Sequence, residues 1–197
     1  MASQVQIVKL ALQHIGDRFD ISSIDEESVE AEQANLVYDD TRKELLRRYP
    51  WRFAKKYTSP ATLSVTVPGE WDYAYAYPSD AVRVLGITNQ ADRSQPILNF
   101  EAALLSDDTR VILTNVSGAE FFYTANISDP TRFDPEFVAG LSFLLAERMA
   151  MSLTGSLDIK SAMAQEALRT ISHAADTDSS EGETNEPPEA SWIIARG

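Results

Sequence analysis

The sequence predicts an α+β fold: a four-helix, bundle-like domain with a small antiparallel β-sheet domain inserted into it and an extended C-terminal arm. Three observations carry this. Apolar residues recur at three- and four-residue spacing near both ends of the chain. Between them the composition turns to short runs rich in Val, Thr and Tyr, punctuated by Pro60, Pro68, Gly69, Pro78 and Gly86. From residue 176 large apolar side chains stop, and they return only at Trp192. The expected division is a first helical half over 1–57, an inserted β domain over 58–128, a second helical half over 129–175 and an arm over 176–197.

A first helix is expected over 3–15, with Val5, Val8, Leu12 and Ile15 on one stripe and Gly16 as its C-terminal cap. A connector over 17–23 follows, with Ile21 and Ile24 tucked down. The next helix is the longest and most self-consistent. Ala34, Val37, Tyr38, Thr41, Leu45 and Tyr49 share a face. Ser23 with Glu26 fits a capping box, and Asp25, Glu26 and Glu27 put negative charge in the expected first turn. Arg42, Lys43, Arg47 and Arg48 load the far end with positive charge, and Pro50 stops the helix. Trp51 and Phe53, two apart, then read as a knuckle that packs one side on a core.

In the middle, 63–67 alternates apolar and polar residues and reads as a strand. The stretch 71–77 is the clearest strand, with Trp71, Tyr73, Tyr75 and Tyr77 on one face by period two. Strands are also expected over 82–88 and 96–100, and 110–114 with 119–126 reads as a hairpin around Asn115-Val116-Ser117-Gly118. Helix returns with Asp134 as cap, Pro135 at the first position and Phe133 stapling onto Val138. Phe137, Leu141, Leu144, Leu145 and Met149 make a wide apolar face, and Gly155 ends the helix. Ser156 caps a fourth helix to about Ala175, with Ala164, Leu168 and Ile171 inward.

A chain of 197 residues, 44% hydrophobic, is long enough to bury a sizeable core. No apolar run of about 18 residues predicts a membrane-spanning helix, and the first residues lack the pattern of a signal peptide. With no Cys, disulfides, thiolate catalysis and Cys-based zinc sites are excluded together. The formal net charge of −13 argues against a general nucleic-acid binder. It suits a surface that DNA passes without sticking, or simply one that stays soluble.

His14 and His173 lie on separate helices without metal-ligand spacing and read as helix-surface residues. Asp39-Asp40 and Asp107-Asp108 are adjacent carboxylates, but neighbours on a helix point about 100° apart and do not converge by themselves. No catalytic residue, cofactor site or metal site is expected. Arg42, Lys43, Arg47, Arg48, Arg52, Lys55 and Lys56 hold seven of the 17 basic residues. This cluster reads as a complemented helix end with solvated charge, as a DNA contact, or as a charge-complementary interface for an acidic partner or second copy. The tyrosine stripe reads as a packed sheet face or as a stacking platform. Asp176, Asp178, Glu181, Glu183, Glu186 and Glu189 make the arm acidic, too polar to fold alone, and Trp192, Ile193 and Ile194 form an apolar anchor at its end.

Four stretches together resemble the bacteriophage head-to-tail adaptors of the tail tubular protein A type: 11–16, 22–54, 71–87 and 129–155. The most specific parts are Tyr49-Pro50-Trp51-Arg52-Phe53-Ala54, the Tyr75-x-Tyr77-Pro78-x-Asp80 run, and Asp129-Pro130 before Phe133-Asp134-Pro135-Glu136-Phe137. The resemblance covers about residues 5–155 and leaves the arm unmatched. It implies a structural, non-catalytic ring, usually of twelve copies, beneath the portal at the head–tail junction of the virion, assembled in the host cytoplasm. Its implied partners are sister subunits, the portal protein, the tail nozzle or tube protein, and genomic DNA passing without sequence-specific contact. On this reading Trp192, Ile193 and Ile194 dock on the portal or a neighbour, and the basic cluster supplies charge complementarity. Two other readings stand beside it: a virion-associated cell-wall hydrolase, needing converging carboxylates near the tyrosine stripe, and a DNA-end-binding protein using the 42–56 segment.

Overall fold

A computed structural model describes residues 2–16, 19–89 and 99–180. The fold is α+β, with four α-helices and two three-stranded antiparallel sheets among the described residues.

Helix α1 spans Gln4–Ile15, opened by a reciprocal capping box between Ser3 and Gln6 and closed at Gly16. It buries Ile7, Val8, Ala11, Leu12 and Ile15. Helix α2 spans Val29–Arg48 and starts later than the Ser23–Glu26 pair predicts. Its N-cap is Ser28, whose hydroxyl accepts from the Ala31 amide at 3.2 Å. Glu26 instead ties the preceding turn together: it accepts from the Ser22 and Ser23 amides and from the Ser28 hydroxyl. The Ser28 hydroxyl first, then those two amides, hold its carboxyl below the usual range. The buried face of α2 is Ala31, Ala34, Tyr38, Thr41, Arg42, Leu45 and Leu46, so it includes one charged side chain the apolar pattern omits.

After Tyr49 the chain makes a 3₁₀ turn, Arg52–Ala54, and enters strand β1, Lys55–Thr58. Trp51 is fully buried, and its indole donates to the Leu45 carbonyl at 3.0 Å. The strands that follow are β2 (Tyr73–Ala76), β3 (Ala81–Asn89), β4 (Phe100–Leu104), β5 (Arg110–Thr114) and β6 (Ala119–Ala125). Sheet A has the order β1-β6-β3 and sheet B the order β2-β5-β4.

The expected single sheet is therefore two, and the expected 110–126 hairpin does not form. β5 pairs with β2 and β4, whereas β6 pairs with β1 and β3. The loop over 115–118 hands the chain from one sheet to the other. Tyr75 fixes that crossing: its hydroxyl donates to the Val116 carbonyl at 2.8 Å and accepts from the Ala119 amide at 3.4 Å. The hairpin that forms is β4–β5, closed by Asp108 in the left-handed region and by Asp107 accepting from the Thr109 amide. Most of the expected 96–100 strand lies outside the described residues.

The 63–67 segment keeps its period-two burial without a ladder. Only an isolated Thr62–Tyr75 bridge and a bond from the Leu63 amide to the Ala74 carbonyl tie it to β2. Leu63, Val65 and Val67 cover the outer face of sheet B over Ala74, Val111 and Leu113. The aromatic stripe also divides. Tyr73, Tyr75 and Tyr77 join the main core, whereas Trp71 packs with the second cluster and donates to Glu101 Oε2 at 3.3 Å.

Helix α3, Pro135–Thr154, begins at Asp134-Pro135 and ends at Gly155, whose φ of 69° is left-handed. It is the hub of the bundle, because α1, α2 and α4 all pack on it. Burial on several sides explains its composition. By length and apolarity it passes as a membrane span, but half of that window is buried inside the fold. Helix α4 spans Leu157–Ser180, five residues past the expected end. Its inward residues are Met163, Ala167, Ile171 and Ala174, while Leu168, expected inside, is 60% exposed. α4 approaches α3 closely, since a Cβ on Gly140 of α3 would lie 3.0 Å from Ile171 Cγ1. The row Met163, Ala167, Ile171 and Ala174 faces the core, and Leu168, about 100° round the helix from Ala167, falls outside it.

Candidate functional site

The seven basic residues expected to act together are split by the fold. Arg42 is 2% exposed and turned inward. Its Nη1 donates to Asn126 Oδ1 at 2.7 Å and to the Ile127 carbonyl at 2.6 Å, and its Nε and Nη2 reach Asp39 Oδ1. It is a structural tie between α2 and the chain leaving β6. Lys43 pairs with the same Asp39 at 2.5 Å, and the two cations, Lys43 first, hold that carboxyl below its usual range. Arg48 and Arg148 share Glu44. Lys56 meets Asp80 at 2.7 Å, and Asp80 also accepts from the Tyr123 hydroxyl at 2.9 Å. Burial, then this bond to a carboxylate, pushes Tyr123 up to about 12.

What stays available is smaller and lies elsewhere. Arg47 spends one N–H on the Val82 carbonyl at 3.0 Å, and Arg83 leans on the Arg47 carbonyl at 3.4 Å. Both side chains are exposed, without a carboxylate partner among the described residues, as is Arg52. Lys55 sits over two rings, its Nζ 5.4 Å from the Tyr57 centroid and 5.0 Å from that of Phe122.

Register explains this grouping. Lys55, Thr124 and Arg83 form one row across sheet A, and Tyr57, Phe122 and Gly86 form the next. Directly opposed residues point to the same side, so these six share the outer face. The outer end of the Phe122 ring packs on Gly86, where a Cβ would come within 2.4 Å of its Cζ. Tyr57 is 61% exposed, and its ring centroid is 6.1 Å from that of Phe122. Sequence reading missed this platform. Tyr57 and Phe122 are 65 positions apart in sequence, and only the β1–β6 pairing brings them together. The period-two pattern of β6 with a lone Gly in β3 was the available signal.

The other candidates fall apart or lie beyond reach. Tyr75 is 1% exposed, so the tyrosine stripe offers no stacking platform. Asp107 shapes a turn, and Asp39 is held by its cations. His14, expected on the surface, is half-buried between α1 and α3: it stacks on Phe143 at 4.0 Å and meets Ser142 Oγ at 3.1 Å. Ser142 donates to the Ala139 carbonyl, so its hydroxyl accepts from His14 Nε2–H. Burial lowers the His14 pKa. Among the described residues no group of three or more His, Asp or Glu is placed to hold a metal ion. Trp192, Ile193 and Ile194 lie outside the described residues.

No protein-family model matches the chain, and no curated protein matches it.

Proposed function

We propose that this chain is a structural head-to-tail adaptor of a tailed bacteriophage, a ring subunit that docks beneath the portal and receives the tail while DNA passes through. The observation that carries the reading is an aromatic joint built from the two most specific stretches of the resemblance. Trp51 and Phe53 pack on Phe137 with centroids 5.2 and 5.0 Å apart, and Phe133 packs on Phe53 at 5.8 Å and on Phe137 at 4.9 Å. Residues 49–54 and 129–137 thus clamp α2, α3 and the root of β1 into one body. A subunit that links two coaxial rings needs such a joint, since a hinge there would uncouple its two ends.

Supporting surfaces lie on the helices. Val29 and Leu36, seven apart on α2, share an outer stripe and stay exposed, Leu36 at 72%. Leu157 and Leu168, three turns apart on α4, do the same. Two exposed apolar stripes on different helices suit a head-to-tail ring contact between copies. The anchor Trp192, Ile193 and Ile194 would complete docking on the portal or a neighbour.

Mass photometry of the chain alone and mixed with its cognate portal tests this. A monomer that becomes a closed ring, of about twelve copies by the family's symmetry, only on the portal is expected. A chain that stays monomeric beside a competent portal overturns the reading. A second reading, DNA-end binding, draws on Arg47 and Arg83, which lie close together without a carboxylate partner among the described residues. Duplex-end affinity that falls steeply with salt and is lost in Arg47→Glu/Arg83→Glu would favour it.

A further inference from the structure

The outer face of sheet A is a built surface with no occupant among the described residues. It combines two half-open aromatic rings, Tyr57 and Phe122, with Lys55 above them and Arg83 one row away. Beside it β1 is an edge strand among the described residues. Glu120 sits at the far end of the same face, opposite Thr88. A ligand fitted to this surface has carboxylates for Lys55 and Arg83 and apolar groups for the rings.

The chain itself contains one segment of that chemistry. Residues 181–189 carry Glu181, Glu183, Glu186 and Glu189, followed at once by Trp192, Ile193 and Ile194. Thr170, His173 and Ala174 border Glu136 and Ala139 at the start of α3. That start is clamped to Phe53, two residues before β1. A dozen residues beyond Ser180 have a maximum covalent reach of ~40 Å.

We infer that in the free chain the C-terminal segment docks in cis on the outer face of sheet A, its glutamates toward Lys55 and Arg83 and its Trp-Ile-Ile anchor on the Tyr57–Phe122 platform. Tethering decides for cis over trans. A linker of this length gives an effective concentration of the order of millimolar, far above the micromolar level of a second copy in dilute solution. The inference rests on the docking role assigned to the arm above and adds where the anchor resides before assembly. A neighbour or portal then competes with the subunit's own sheet for the same anchor, which keeps the free subunit from sticking prematurely.

The absence of native cysteines makes the test direct. Full-length chain carrying Thr88→Cys with Ser191→Cys is oxidised in dilute solution, and Leu36→Cys with Ser191→Cys is the control. Thr88 lies on the platform face, whereas Leu36 is on the exposed stripe of α2. The expected result is a monomeric disulfide formed about tenfold faster at Thr88 than at Leu36. That excess should fall severalfold in about 1 M salt and with Lys55→Glu/Arg83→Glu, both exposed positions. Equal rates at the two sites, or disulfide dimers as the main Thr88 product, overturn it; the dimers would make a second copy the occupant. Binding of a fluorescent oligo-dT by the full chain that Lys55→Glu/Arg83→Glu abolishes also overturns it and gives the face to single-stranded DNA. Cross-linking is read on the chain alone and ring formation with portal present, so either can fail without the other.

Discussion

Arg42 and Asn126, 84 residues apart in sequence, meet where the guanidinium Nη1 donates to Asn126 Oδ1 at 2.7 Å. The Asn126 amide in turn donates to the Asp80 carbonyl at 2.7 Å, and Asp80 holds Lys56 and Tyr123. One polar chain therefore runs from the middle of α2, past the end of β6, to the turn before β3 and the root of β1. It fixes the angle of the sheets on the bundle, which apolar packing alone leaves free to slide.

Removing Arg42 should therefore cost more than a surface charge does. In Arg42→Ala the buried Ile127 carbonyl loses its donor, at roughly 1–3 kcal/mol, whereas the exposed Asn126 side chain can turn to water. A net loss of about 2 kcal/mol is expected by urea denaturation, and Arg42→Lys should recover only part of it because one ammonium nitrogen lacks the planar spread with which the guanidinium reaches Asp39, Asn126 and Ile127 at once. Lys43→Ala, whose partner Asp39 is largely exposed, should stay within about 0.5 kcal/mol. Equal effects at positions 42 and 43 would contradict the tie.

Gly140 sets the distance between α3 and α4. A Cβ there meets Ile171 Cγ1 at 3.0 Å, with Leu45 Cδ2 behind it at 3.8 Å. Gly140→Ala gains helix propensity of about 0.5–1 kcal/mol and loses a similar amount to the tight contact, so it should be near neutral. Gly140→Val has no such offset and should destabilise by ~2 kcal/mol. Pairing it with Ile171→Ala should restore part of the loss, a coupling a double-mutant cycle reads directly.

The helices were legible where local chemistry agrees with tertiary structure: Gly16 at the end of α1, Asp134-Pro135 and Gly155 around α3. The errors came from choices that neighbours in sequence cannot make. Residues 110–126 look like a hairpin because the 115–118 turn is polar and ends in Gly118, yet the pairing is decided by Tyr75, some forty residues earlier. Arg42 read as solvated because periodicity scores it as charge, and nothing local reveals an acceptor set on another element. Leu168 read as core because it is large and apolar, yet the inward row runs through Met163, Ala167, Ile171 and Ala174, and Leu168 lies about 100° off it. The docking platform was invisible for the same reason as Arg42: Tyr57, Phe122 and Gly86 belong to three strands.

Stability should decline in mildly acidic solution through His14. Burial lowers its pKa below the ordinary 6.5, so the folded state favours the neutral ring. As pH falls through about 6.5 the unfolded chain takes up a proton before the folded one does. Stability is thus fully present above that pH and is lost as pH falls from it toward the lower folded value. Urea midpoints at pH 7.5 and 5.5 should differ more for the natural chain than for His14→Gln. The depressed carboxylates Glu26, Asp39 and Asp80 lose their contribution only at lower pH, through the carboxylate range, so the two effects separate.

The crossing between sheets yields the sharpest single-atom prediction. Tyr75→Phe keeps the ring, which packs edge-on against Phe121 at 5.2 Å, and deletes only the hydroxyl. The Val116 carbonyl then loses its donor and the Ala119 amide its acceptor, at the point where the chain must leave sheet B for sheet A. A cost of about 1–2 kcal/mol is expected, since the site is buried and water replaces the hydroxyl poorly. Tyr57→Phe, removing the same atom from an exposed ring, should change stability by less than about 0.5 kcal/mol. Hydrogen exchange distinguishes loss of the clamp from general loosening. The Ala119 amide should exchange faster in Tyr75→Phe relative to the core amides of α3, whereas a uniform rise across both would mean the hydroxyl supports global stability and does not hold the crossing.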